Sequence, residues 1–128
     1  ARALRLLEDA GLIKLSDYNS ESITEKDIVE NPKNLKITAV DAATVAKAYE
    51  DVAGGVINSN YALGVGLNPK TDPLFVETTE GNPNANIIAA RSADKDNEAY
   101  KKFVQVLKSD KAKEFINEKY DGSVIPVE

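Results

Sequence analysis

Two groups of residues in this 128-residue chain combine side-chain type and position in a way that could bind a small molecule. The first is Asn58-Ser59-Asn60-Tyr61, where the apolar pair Val56-Ile57 runs abruptly into amides and hydroxyls. In open α/β sheets the carboxyl tips of strands are where loops converge on a ligand while the strands behind stay rigid. Asn58 offers both donor and acceptor atoms, so it can hold the ammonium or the carboxylate of a zwitterion without adding a full charge. Asn60 and Tyr61 are secondary candidates, because one of them is expected to face the sheet or the core. The competing role for Asn58 or Ser59 is a helix N-cap that accepts a backbone N–H.

The second candidate is Arg2, in the first turn of the helical pattern that opens the chain. A cation there opposes the helix dipole, and a bound carboxylate would compensate by accepting a guanidinium fork together with backbone N–H groups. If the helix begins further upstream, Arg2 is simply a solvated side chain. Spacing alone leaves both readings open at both sites.

Much other chemistry is excluded. The absence of cysteine and histidine removes thiol nucleophiles, disulfides, Ser-His and Cys-His catalysis and the usual zinc ligand sets. No nucleophile and base set is visible, so an enzyme is not expected, and neither is a cofactor. A net charge of -5 without a Lys/Arg cluster argues against nucleic acid, whose phosphates demand a basic face. No apolar run approaches the roughly 20 residues of a membrane helix. Asp94-Lys95-Asp96-Asn97-Glu98 starts like a calcium loop, but Ala99 and Gln105 stand where the turn glycine and the bidentate glutamate belong, so a helix cap is expected. Glu21, Glu25, Asp27 and Glu30 read as a solvated loop. Gly64-Val65-Gly66 is too short to cradle phosphate.

The elements that would position these residues alternate. A first helix over residues 1–10 carries Ala3, Leu6, Leu7 and Ala10 on one face and an Arg5 to Asp9 pair, and Gly11 ends it. Residues 12–15 are short and extended, and 16–28 irregular. A turn at 31–34 leads into an alternating strand at 35–40. Asp41 caps a helix over 42–51, and Gly54-Gly55 releases the strand Val56-Ile57. Helix, strand, helix, strand predicts right-handed crossovers and a parallel sheet. Residues 61–84 are dense in glycine and proline and read as a connection interrupted by Leu74-Phe75-Val76. A strand at 86–91 follows. Then come a helix capped by Asp94 or Asp96, a second capped by Ser109 with Ala112, Phe115 and Ile116 buried and Gly122 as its stop, and a final extended segment at 123–127.

Several blocks together resemble one family. Ala1-Arg2-Ala3-Leu4, Glu30-Asn31-Pro32-Lys33-Asn34-Leu35-Lys36-Ile37, Val56-Ile57-Asn58-Ser59-Asn60-Tyr61-Ala62, Gly66-Leu67-Asn68-Pro69, Leu74-Phe75-Val76-Glu77 and Asn86-Ile87-Ile88 occur in this order in methionine-binding lipoproteins. These are the substrate-binding components of bacterial methionine ABC importers. The resemblance covers essentially the whole chain and corresponds to the C-terminal half of such a protein.

It implies an α/β fold of the type II periplasmic-binding-protein class, a parallel or mixed sheet flanked by helices, truncated at its N-terminus. Residues 1–83 would form part of the second lobe, lacking its first strand, and 84–128 would return to the first. The ligand implied is methionine or a related small amino acid, enclosed between the lobes, and the partner is the importer's permease. The family arginine that pairs with the ligand carboxylate matches Arg2, and the family asparagine that holds the ligand backbone matches Asn58, with Asn60 and Tyr61 beside it. Members sit outside the cytoplasm on a lipidated N-terminal cysteine. The aromatic residue many of them carry before the Asn-Ile-Ile strand has no match at Asn84 or Ala85. An effector-sensing domain of a transcription regulator is the alternative reading. A sheet edge left open by a missing strand would favour a homodimer or strand exchange.

Overall fold

Leu4 and Leu7, one helical turn apart, set the orientation of α1 (Arg2–Asp9) by facing Ile13, Leu15 and Ile23. The buried face is therefore centred on Leu4, while Ala3 of the expected stripe is exposed. The computed structural model describes residues 1–78 and 84–126; Gly81 and Pro83 of the expected connection and Val127 of the final segment lie outside the described residues.

Past α1, Gly11 takes a positive φ of 69°, the left-handed turn expected of a C-terminal stop. The chain then runs through β1 (Lys14–Leu15), which pairs antiparallel with β2 (Ile28–Glu30). Lys14 faces Glu30 and Leu15 faces Ile28, so the extra residue Val29 makes an irregular step in the ladder. β2 lies at the edge of a stretch expected to be irregular. It exists because Ile28 can join the Leu4, Ile13, Leu15 and Ile23 cluster.

The expected Arg5 to Asp9 pair does not form. Arg5 instead donates to the carbonyls of Tyr18 at 2.8 Å and Ser20 at 2.7 Å, and Asp9 accepts from the Tyr18 hydroxyl at 3.1 Å. Two carbonyls of a tight loop outcompete one exposed helical ion pair, which is worth only about 0.3–0.5 kcal/mol. The loop is thereby strapped to α1.

Residues 35–40 keep their alternation, with Leu35 and Ile37 half-buried against the core and Lys36 and Thr38 exposed. No ladder forms there, nor at 56–57 or 86–91, so the expected strands are not paired among the described residues. The one ladder among the described residues is antiparallel. Alternation specifies which face of a segment is buried, whereas pairing requires a neighbour that local pattern does not supply.

α2 (Ala42–Ala48) gives way to a tighter turn at Tyr49–Asp51, so the helix expected through 51 is split. Asp41 occupies its N-cap position without a side-chain bond. α3 (Ser59–Gly64) follows, and Ala46 of α2 and Ala62 of α3 are buried.

The chain divides into two compact units. One comprises Ala1–Leu67 with Asp72–Glu77; the other holds Asn68–Thr71 and the described residues from Thr78 onward. The second unit contains α4 (Glu98–Leu107) and α5 (Asp110–Tyr120). Neither Asp94 nor Asp96 caps α4. Asn97 does so, accepting from the Ala99 N–H at 2.9 Å, while Asp94 pairs with Arg91 at 2.8 Å. Ser109 caps α5 as expected, accepting from the Ala112 N–H. Asp121 takes the left-handed position that ends α5, one residue before Gly122, and Phe115 is 59% exposed rather than buried.

Candidate functional site

All the candidate binding residues fall in the first unit. Arg2 stands at the first position of α1, whose first turn carries no acidic residue. The anion that this end of the helix lacks arrives from 75 positions away. The Arg2 Nε donates to both carboxylate oxygens of Glu77, at 2.9 and 3.1 Å, and Nη2 donates to Oε2 at 2.5 Å. This is a side-on fork, a bidentate charge-assisted arrangement stronger than a single neutral hydrogen bond. The hydrogen bond to Glu77, ahead of its charge, raises the Arg2 pKa further above the usual arginine value. The guanidinium stays about half exposed, and Nη1 makes no hydrogen bond among the described residues.

Asn58 occupies the N-cap position of α3 with extended backbone angles, yet its side chain accepts no cap hydrogen bond. The capping role that the sequence left open is not taken up by the carboxamide. Asn60 and Tyr61 lie in the first turn of the same helix and are exposed, Tyr61 at 39%. The three residues share one short helical turn. No hydrogen bond joins any of them to Arg2 among the described residues.

The approach of the chain to Asn58 depends on Gly55. A Cβ on Gly55 would stand 2.8 Å from Val45 Cγ1 and 3.5 Å from Tyr49 Cβ, so the backbone crosses α2 at a distance only glycine permits. Val56 and Ile57, half-buried, then deliver the chain to Asn58.

Glu77 was not singled out by motif reasoning. In the sequence it stands only as a carboxylate directly after the apolar Leu74-Phe75-Val76 segment, closing one of the blocks shared with the family. Its partner is distant in sequence, so no spacing rule links the two. Among the described residues no cluster of metal-ligating side chains occurs, and no helix is long and apolar enough to cross a membrane.

The family profile described as NlpA lipoprotein matches residues 1–128. A methionine-binding lipoprotein of Bacillus subtilis is 49% identical over 98% of this chain and 47% of its own length. A D-methionine-binding lipoprotein of Salmonella typhi is 44% identical over 97% of this chain and 46% of its own length. The solved substrate-binding protein of a methionine transporter from Streptococcus pneumoniae superposes with a TM-score of 0.81 at 34% identity, over 99% of this chain and 50% of that one. The expected α/β substrate-binding class is thus the class of its structural neighbours. The chain spans about half the length of the curated relatives it matches. By the profile match along its whole length and by these identities, the chain belongs to the NlpA lipoprotein family.

Proposed function

We propose that this chain supplies one part of the binding site of an ABC-importer substrate-binding protein whose ligand is methionine or a closely related amino acid. Arg2 takes the ligand carboxylate, and Asn58 takes its backbone amine or carboxylate. Asn60 and Tyr61 border the same pocket. The observation that carries this reading is the Arg2 fork: a guanidinium at a helix start already holding one carboxylate, with Nη1 making no hydrogen bond among the described residues. The Asn58 carboxamide, which makes no cap hydrogen bond to α3, supports it. The names of the relatives favour methionine over other amino acids.

The action is capture, not covalent chemistry. A ligand that touches two lobes stabilises the closed arrangement of the whole protein, and the permease complex reads that closed state. The whole protein works outside the cytoplasm, held to the membrane by a lipid anchor. The relatives reported above give no support to an effector-sensing regulator domain. Self-association of this chain into a homodimer also belongs to the proposal.

Isothermal titration calorimetry with L- and D-methionine, on a family-length protein carrying this segment, tests the assignment. At least one enantiomer binds, and Arg2→Ala and Asn58→Ala each weaken binding by about tenfold or more, since a hydrogen bond to a charged group is worth about 1.5–3 kcal/mol. Unchanged affinity in both variants overturns the site. Failure of both enantiomers to bind overturns the ligand.

A further inference from the structure

We propose that Glu77 is a positioning residue for Arg2, one that locks the guanidinium on its Nε side and so presents the Nη1 edge to a ligand carboxylate. The inference rests on the function proposed above. Arginine has five N–H groups in a rigid fork, and Glu77 engages those on Nε and Nη2. The end-on edge, formed by Nη1 with the second hydrogen of Nη2, points elsewhere. One arginine can therefore hold an internal carboxylate side-on and an external one end-on.

Immobilising a long side chain before the ligand arrives removes an ordering cost from binding. The Glu77 carboxylate is also more sheltered than Arg2, at 26% against 48% exposure, as befits the anchored partner of the pair. The pair leaves little net charge at the site, so recognition depends on hydrogen-bond geometry more than on long-range attraction.

The opposite possibility is that Glu77 occupies the ligand's place and must be expelled. The two differ in sign. If Glu77 positions Arg2, Glu77→Ala weakens methionine binding by about tenfold, the size expected for unlocking one rotamer-rich side chain. Glu77→Gln, whose amide oxygen still accepts from Nε, stays within about threefold of the parent. In an Arg2→Ala background, Glu77→Ala has no further effect, because the two act as one unit. The parent and these four variants are titrated by calorimetry in the family-length form. Tighter binding by Glu77→Ala overturns the proposal in favour of a displaced occupant. Additive losses in the double variant overturn it in favour of a purely structural role. Arg2→Ala without effect removes the functional reading beneath it, while loss in Arg2→Ala alone removes only the role given to Glu77.

Discussion

Asp27 accepts two hydrogen bonds from Thr24 on the same oxygen, from the backbone N–H at 2.8 Å and from the hydroxyl at 3.0 Å. Both favour the ionised form, the backbone bond first, and hold the Asp27 carboxyl below the usual aspartate range. A folded value below the unfolded one means that the contribution is complete above the ordinary value of 3.8 and fades as pH falls through the lower folded value. The urea midpoints of the parent and of Asp27→Ala should therefore differ at neutral pH and draw together as the pH is lowered below the ordinary aspartate value. A constant difference across that window would mean the side chain acts through packing alone. Thr24 and Asp27 are three positions apart and their pairing was open to a local reading, yet the acidic run around them pointed to a solvated loop. Arg2 and Glu77 lie beyond any such reading. Arg2 drew attention because a cation at a helix start wants an anion, but the sequence could not say that the anion belongs to the chain itself.

At the scale of elements, what neighbours in sequence dictate was legible and what distant segments dictate was not. Ser109 caps α5 and Gly11 ends α1 because both jobs depend on a few adjacent residues. The β1 and β2 ladder was missed because it needs Ile28 to find Leu15, a match made by the core. Glu8 illustrates the same limit: from within α1 its Oε1 accepts the backbone N–H of buried Leu15 at 2.9 Å, tying helix to strand. Glu8→Ala leaves that N–H without its acceptor and should cost about 1–3 kcal/mol, while Glu8→Gln keeps an acceptor and should recover much of the loss. Denaturant titration decides; equal stability of Glu8→Ala and the parent would show that water replaces the carboxylate at no cost. The Gly55 crossing joins element to site. A methyl group there must push Val45 aside, so Gly55→Ala should destabilise by about 1–3 kcal/mol and shift Asn58 out of place. Thermal melting reads the first effect and methionine affinity the second. An alanine variant that melts and binds like the parent would mean that α2 yields freely.

On the scale of the molecule, segments with strand-like sequence carry no ladder. The backbone N–H groups of residues 36–40 and 85–90 have no hydrogen-bonded partner among the described residues. Their side chains are apolar enough to want cover: Ile87 is 84% exposed and Ile88 half exposed. Unpaired extended backbone beside exposed β-branched side chains is a template for another chain. Among the described residues the parallel sheet expected from alternation is not seen, and the unpaired backbone is a physical reason for self-association. The charge of -5 opposes it through repulsion between copies, and salt screens that repulsion within about 10 Å at 0.1 M. Light scattering on this chain should give a mass rising from 13.8 kDa toward twice that value with concentration, and rising further when salt is added. Ile87→Lys places a charge on the unpaired segment, the device natural edge strands use against pairing, and should hold the chain monomeric at concentrations where the parent associates. A strict monomer at every concentration and salt level would show that solvation of these segments outweighs pairing. Association undiminished by Ile87→Lys would move the contact to another face.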